Sequence, residues 1–102
     1  MKYRLNFMGD TVVDRENIKI YLSKFYPGTV KRFFSLLKKR TTQLKTFPYS
    51  CPKYEDDPDY RILVVGDYLV FYIVNEETKI VEVHRIFHGS RDISQHLNQP
   101  SI

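Results

Sequence analysis

A chain of 102 residues is the size of one domain, with no room for a second core. It is moderately basic, with sixteen Lys and Arg against twelve Asp and Glu, and its single cysteine excludes an internal disulfide. No secretion signal or membrane span is recognisable, because the N-terminus is charged and the longest uncharged apolar run, residues 68–74, is too short. We therefore expect a soluble, cytoplasmic protein that does not associate with a membrane.

The N-terminal residues have the pattern of a strand with one buried face. Tyr3, Leu5 and Phe7 alternate with charged or polar neighbours, which is the period of two of a half-buried strand. From about residue 11 to residue 26 the spacing becomes helical, and the recurring apolar positions are Ile18, Tyr21, Leu22 and Phe25. A strand followed by an amphipathic helix is predicted.

A second helix is predicted from about residue 30 to residue 46. Pro27-Gly28 ends the first helix, Thr29 can cap the second, and Pro48 stops it. The inner apolar stripe of this helix is formed by Val30, Phe33, Phe34, Leu37 and Leu44. Two helices joined by so short a link form an αα-hairpin.

Three strands are predicted after a loop over residues 49–59. Residues 61–65 and 68–74 are separated by Gly66-Asp67, a glycine-first pair that suits a type II′ hairpin, and the last strand covers residues 80–87. Grouped helices followed by grouped strands indicate an α+β fold, an antiparallel three-stranded meander with the helical hairpin on one face. The first strand then lies either parallel to a meander strand at an edge or inserted beside it. The tail is expected to form a short C-terminal helix.

The basic residues are not spread evenly. Between Gly28 and Tyr54 the chain has seven basic residues and no acidic one, and four acids follow between Glu55 and Asp59. Such a segment suits an anionic partner (nucleic acid, the ribosome or an acidic protein), and a solvated helix face is an equally open interpretation. The candidate contact residues are Lys38, Lys39, Lys45, Lys53 and, in the tail, Arg91.

The C-terminal half contains an ordered series of motifs: Arg61 opens a strand, Gly66-Asp67-Tyr68 leads through a turn towards Phe71-Tyr72, and the last strand closes with the run from Val83 to Asp92. This order of motifs resembles that of the RelE/ParE superfamily of toxins. The short first strand, the two helices and the ending from Leu44 to Pro48 agree with the same layout. The resemblance covers nearly the whole chain, residues 1–102, and is closer to the ParE branch.

The resemblance implies the toxin of a type II toxin–antitoxin, or plasmid stabilisation, system. Such toxins arrest growth when they are released from a cognate antitoxin, which we expect to be acidic. RelE-like members enter the ribosome and cleave mRNA without a metal, whereas ParE-like members poison DNA gyrase and are not nucleases. Neither branch implies a cofactor, and a homodimer through the helices remains open.

Metal-free RNA cleavage needs groups that neutralise the phosphate and move protons at the attacking and leaving oxygens. Arg61, Arg85 and His88 are the candidate catalytic residues, if the sheet brings them together. Arg85 alternates with Val83 and Phe87 and so places a charge in an otherwise apolar row of the last strand. This indicates either a clamp for a phosphate or an acidic tail, or an ion pair with a nearby carboxylate. His88 is either a general acid or base or a hydrogen-bonded turn residue.

Two features of the tail and the histidines bear on the mechanism. The histidines do not have the spacing of metal ligands, so no metal site is predicted. RelE-like toxins usually carry a catalytic tyrosine after the last strand, and residues 90–102 contain none. We therefore predict a ParE-like gyrase inhibitor, with a ribosome-dependent mRNA endoribonuclease as the alternative and a degenerate binding module as a third possibility.

Overall fold

The computed structural model describes residues 2–90. The elements follow one another as β1 (Arg4–Phe7), α1 (Gly9–Phe25), α2 (Val30–Gln43), β2 (Arg61–Val65), β3 (Tyr68–Asn75) and β4 (Ile80–His88). This is the predicted α+β order, although α2 ends three residues before the predicted residue 46. The predicted C-terminal helix lies outside the described residues. No helix in the described part of the chain has both the length and the apolar character that spanning a membrane requires.

The four strands form one sheet in the order β1-β4-β3-β2. The last three strands make the predicted antiparallel meander, and β1 pairs in parallel with β4 at the edge. Of the two placements that the sequence left open, β1 therefore takes the edge position. The β2–β3 turn has the positive φ of 58° at Gly66 that the first residue of a type II′ turn needs.

The helical hairpin covers one face of the sheet and buries the main core. Ile18 and Leu22 of α1 and Leu37 of α2 face the sheet, where the buried partners are Leu63, Val65, Tyr68, Val70, Tyr72, Val81, Val83 and Ile86. Several of these strand residues have no exposed surface at all. Removal of this apolar surface from water is the main force that holds the helices on the sheet.

A smaller aromatic cluster lies on the other face of the sheet. Phe71 lies on this face because its neighbours in β3 belong to the helix side and side chains alternate along a strand. Its side chain is fully buried. Its ring makes edge-to-face contacts with Tyr54, Tyr60 and Phe87. The loop between α2 and β2 thus folds over this face.

A bulge in β4 changes the face on which Arg85 lies. Tyr72 is opposite Val83 and Phe71 is opposite Arg85, so His84 is an extra residue in β4. Val83 consequently faces the helices while Arg85 shares the opposite face with Phe71. The unbroken alternation through Val83 and Arg85 that the sequence suggested is therefore wrong.

Glu76, in the β3–β4 turn, joins three separate segments of the chain. The hydroxyl of Tyr3 donates to its carboxylate at 2.6 Å, the hydroxyl of Tyr49 also donates, and the Lys79 ammonium donates at 2.5 Å. The hydrogen bond from Lys79, followed by those from the two tyrosines, lowers the pKa of Glu76 to about 2. The same carboxylate raises the pKa of Tyr49 to about 12.

We predict that this cluster makes stability depend on pH in the acid range. A carboxyl whose pKa is lower in the folded than in the unfolded state stabilises the fold above its unfolded pKa, and this contribution is lost as the pH falls through the folded pKa. The free energy of unfolding of the wild type should therefore fall relative to that of Glu76→Gln as the pH drops from 4.5 to about 2.

Urea denaturation of both proteins across this pH range measures the difference. Glu77→Gln, at an exposed position of the same turn, is the control and should follow the wild-type profile. Parallel profiles for the wild type and Glu76→Gln would show that the cluster does not stabilise the folded state.

Candidate functional site

The three candidate catalytic side chains lie in different parts of the sheet. Arg61 begins β2, whereas His88 ends β4 opposite Tyr68, which in turn is opposite Val65. Arg61 and Val65 are separated by four residues of strand, about 13 Å, so Arg61 and His88 lie at opposite ends of the sheet. Arg85 lies on β4 on the face away from the helical hairpin. The fold does not bring these three residues into one cleft.

Arg85 is held in a buried ion pair with Asp14 of α1. Its Nε and Nη2 atoms donate to the two carboxylate oxygens at 2.8 and 2.9 Å, the bidentate geometry of a strong charge-assisted pair. Asp14 is only 6% exposed and also accepts the backbone N–H of Ile86 at 2.9 Å. The hydrogen bond from Asp14 raises the pKa of Arg85, and the guanidinium carbon lies 4.5 Å from the centre of the Phe87 ring.

The position of Asp14 follows from the shortness of β1. Since β1 ends at Phe7, opposite Val83, the rest of β4 has no neighbouring strand on that side within residues 2–90. An open strand edge leaves N–H groups without partners and invites pairing with other chains. At the end of β1, the backbone N–H of Met8 donates to the Val83 carbonyl. Further along β4, the Asp14 carboxylate accepts the backbone N–H of Ile86 in place of a strand. Arg85 therefore takes part in the closure of a sheet edge.

Arg61 fixes the loop that follows α2. Its Nη1 donates to the Cys51 carbonyl at 2.7 Å, and its guanidinium lies 4.9 Å from the centre of the Tyr49 ring. Beside it, the buried hydroxyl of Tyr72 donates to the Pro48 carbonyl at 2.8 Å. Burial is the largest cause of the raised pKa of Tyr72. Loop and sheet are thus joined by hydrogen bonds to backbone carbonyls.

His88 is part of a local turn at the end of β4. Its Nδ1 is 2.8 Å from the Ser90 hydroxyl and accepts the Ser90 backbone N–H at 3.2 Å. Since that N–H needs an acceptor, a neutral ring carries its proton on Nε2. The ring also meets Tyr68 edge-on, with 5.3 Å between ring centres.

A cavity of about 470 Å³ lies between α1 and the end of β4, next to His88. Its lining consists of Asp14, Asn17, Ile18, Tyr21, Tyr68, Ile86, His88 and Ser90. Within residues 2–90, its lining includes a carboxylate and neither Lys nor Arg, which does not suit a phosphate. Arg91, the contact candidate next in sequence, lies outside the described residues.

A basic groove of about 580 Å³ runs between the two helices. Four basic side chains and one carboxylate border an apolar floor, and the lining residues are Val12, Arg15, Glu16, Lys19, Val30, Lys31, Phe34, Ser35 and Lys38. Lys38 is the candidate contact residue that lines this groove. Lys39 and Lys53 are exposed elsewhere and Lys45 is half-buried, so the predicted set does not form one site.

Sequence reasoning missed several residues that the structure brings together. Asp14 occupies the buried stripe of α1 with Ile18 and Leu22, at a spacing of four, and a carboxylate in such a stripe signals a buried partner. Arg15 and Lys19 are also four residues apart and were overlooked as one side of the groove. The stretch without acids also extends beyond Gly28 towards the N-terminus and covers residues 17–54.

The described residues contain no site that suits a metal. Among residues 2–90, no group of three or more His, Cys, Asp or Glu side chains is arranged to hold a metal ion. His84 is instead 3.1 Å from the carboxylate of Glu82, and its ring meets Tyr60 edge-on.

Comparisons with known proteins agree with the fold. A family model described as the ParE toxin of the type II toxin–antitoxin system parDE matches residues 7–93. A chain of the chromosomal ParDE system from P. aeruginosa aligns with a TM-score of 0.72 at 13% identity, over 85% of this chain and 96% of that one. A mutant of E. coli toxin RelE in the free state aligns with a TM-score of 0.65 at 18% identity, over 94% and 93%.

A chain of the intact E. coli RelBE toxin–antitoxin complex is also similar, with a TM-score of 0.61 at 20% identity over 87% of this chain and 99% of that one. At these identities the likeness concerns the fold. A search of curated proteins found no match.

We predict that Asp14→Ala lowers the free energy of unfolding by about 3–5 kcal/mol, because it leaves Arg85 without its buried counter-charge and the Ile86 N–H without an acceptor. Chemical denaturation measures the loss. Glu16→Ala, an exposed carboxylate two residues further along α1, is the matched control and should change the stability by no more than about 0.5 kcal/mol.

A double variant separates the loss of the pair from loss of packing. Replacing both partners with apolar residues, Asp14→Leu with Arg85→Met, should recover part of the loss, because no uncompensated charge is then buried. Equal stability of Asp14→Ala and Glu16→Ala would contradict the structural role of the pair.

Proposed function

The chain belongs to the ParE toxin family of type II toxin–antitoxin systems, and we propose that it arrests growth by acting on DNA gyrase. The observation that carries this proposal is the separation of Arg61, Arg85 and His88, each of which has a partner within the fold. Metal-free cleavage of RNA needs cations and a proton-transfer group around one phosphate. The absence of tyrosine from residues 90–102 supports the same choice.

A ribosome-dependent mRNA endoribonuclease of the RelE type is the second candidate. The observation in its favour is the acid-free segment over residues 17–54, whose nine basic residues suit RNA. In this alternative Arg61, Arg85 and His88 are the catalytic residues. The bidentate pairing of Arg85 with Asp14 weighs against it, since a guanidinium bound to a carboxylate is not free to neutralise a phosphate.

Both targets, gyrase and the ribosome, are in the cytoplasm, so we propose a cytoplasmic site of action. We also propose that the toxin and its antitoxin stabilise the genetic element that encodes them, as the plasmid stabilisation systems of this family do. Neither proposal depends on a cofactor.

We predict that induction of the chain alone produces gyrase-linked double-strand DNA breaks while translated mRNA stays intact. Primer extension on mRNA and a gel of chromosomal DNA, taken shortly after induction, measure the two lesions side by side. Purified chain added to gyrase and supercoiled plasmid should likewise cause cleaved DNA to accumulate.

His88→Ala is the variant that separates the two mechanisms, because the hydrogen bonds of this ring within residues 2–90 are local ones to Ser90. Arg85→Ala is unsuitable, since it breaks the ion pair that holds the fold. Under our proposal His88→Ala keeps the gyrase lesion. New mRNA ends inside codons that disappear in His88→Ala would overturn the proposal in favour of the nuclease, and growth without either lesion would contradict both.

We further propose that the antitoxin is acidic and docks in the groove between α1 and α2. Lys31 and Lys38 from α2 and Arg15 and Lys19 from α1 border an apolar floor that includes Phe34. An amphipathic acidic segment places its apolar side chains on such a floor and its carboxylates against the basic rim. Outside the groove, Lys39, Lys45 and Lys53 extend the positive surface that approaches either anionic target, gyrase-bound DNA or the ribosome.

We predict that reversing two charges of the groove, Lys31→Glu with Lys38→Glu, weakens antitoxin binding by about tenfold or more. Titration calorimetry with the product of the neighbouring gene measures the affinity, and the loss should be smaller at high salt because exposed charges are screened. Lys39→Glu, an exposed α2 residue outside the groove, is the control and should bind nearly as well as the wild type. An equal loss in the control would show that net charge, not the groove, determines binding.

A further inference from the structure

The outer side of α1 exposes apolar side chains that do not belong to the groove or the cavity. Val13 is 48% exposed and Ile20 is 58% exposed, although both lie in the middle of a surface helix. The buried side of the same helix is formed by Thr11, Asp14, Ile18 and Leu22. A surface helix usually keeps the side opposite its buried stripe polar, so these two residues require an explanation.

The two residues belong to a regular stripe along the helix. Five exposed residues of α1 follow one another along one side of the helix at spacings of three, four, three and four residues: Asp10, Val13, Asn17, Ile20 and Lys24. This spacing follows one side of an α-helix and is the seam through which paired helices contact each other. We call these five residues the α1 stripe.

The chemistry of the α1 stripe is complementary to itself in one orientation. The acidic Asp10 lies at one end of the stripe and the basic Lys24 at the other. Between them, the apolar Val13 and Ile20 flank the amide of Asn17. A second α1 turned end to end about Asn17 brings Asp10 opposite Lys24 at both ends. A parallel arrangement would instead place acid against acid and base against base, which is unfavourable.

We propose that two copies of this chain associate through antiparallel α1 stripes, with a twofold axis at Asn17. Val13 of each copy then packs against Ile20 of the other, and the Asn17 amides face each other and fix the register, as a single polar residue does in paired helices. The contact is a self-complementary patch, the type of interface that a twofold dimer requires.

Residues beside the stripe extend the contact. Tyr21 and Phe25 are 45% and 55% exposed, and their rings lie 4.9 Å apart on one flank of the stripe. Two helices of this length nevertheless bury less surface than a permanent dimer needs. We therefore expect a reversible dimer with a dissociation constant of about micromolar order.

The charge pattern provides the test. In a twofold dimer each substitution occurs twice, so Asp10→Lys or Lys24→Asp turns two attractive pairs into repulsive ones and should raise the dissociation constant about tenfold or more. The double variant, Asp10→Lys with Lys24→Asp, restores opposite charges and should return to within about threefold of the wild type. Sedimentation velocity of the full chain over a concentration series measures all four proteins.

Lys39→Asp, an exposed charge reversal on α2, is the matched control and should dimerise like the wild type. Asp10→Lys also removes a favourable charge from the first turn of α1, so circular dichroism must show that each variant is folded. A second measurement does not rely on charge. Asn17→Cys in a Cys51→Ser background should form an intermolecular disulfide under mild oxidation, whereas Ser35→Cys should not.

Two results would overturn the proposal. The first is a wild-type chain that stays monomeric up to its highest soluble concentration, with no disulfide formed by Asn17→Cys. The second is a dimer that survives both single charge reversals unchanged, which would place the interface elsewhere on the molecule. Neither result depends on whether gyrase is the target, since both concern the isolated chain.

Discussion

The carboxylate of Asp14 joins α1 to β4 through two adjacent residues of the strand. It binds the Arg85 guanidinium from a bulged strand and accepts the Ile86 N–H at a sheet edge, and it lies on α1, which packs on the core. A buried carboxylate is costly unless it is paired and hydrogen-bonded, and here both requirements are met by the same strand. The register of α1 against β4 is therefore set by charge as well as by apolar packing.

This use of Arg85 in the structure changes where function can reside. A cation that is committed to a buried carboxylate is not available to a phosphate, and the charges that remain accessible are mostly on the helices. The nine basic residues of residues 17–54 are Lys19, Lys24, Lys31, Arg32, Lys38, Lys39, Arg40, Lys45 and Lys53. Their positive field, unopposed by acids in the same stretch, attracts anionic macromolecules over a distance.

The sequence predicted β1 and α2 because their apolar residues have clear periods, two in the strand and about 3.6 in the helix. The other described elements were bounded by turn residues such as Pro27-Gly28 and Gly66-Asp67. Prediction from the sequence failed where a local irregularity or a distant contact decides the outcome. The bulge at His84 cannot be read from alternation, since Val83, Arg85 and Phe87 appear to share one face when no residue is counted as extra. Pairing of Asp14 with Arg85, 71 positions further on, needs the parallel edge strand to be in place. The separation of Arg61 from His88 likewise depends on the strand order, which local patterns do not contain.

The two surfaces proposed for α1 are neighbours, and this has a physical consequence. Glu16 and Lys19 line the groove, and the residues that follow them in sequence, Asn17 and Ile20, belong to the α1 stripe. The two surfaces therefore share a border along α1. A segment docked in the groove therefore lies beside the twofold contact, and each occupant changes the room and the charge available to the other. If an acidic antitoxin neutralises the groove, it also weakens the repulsion between two basic hairpins that the dimer brings together. Antitoxin binding and self-association are thus expected to be thermodynamically coupled through one helix, with the sign of the coupling set by the balance between crowding and charge.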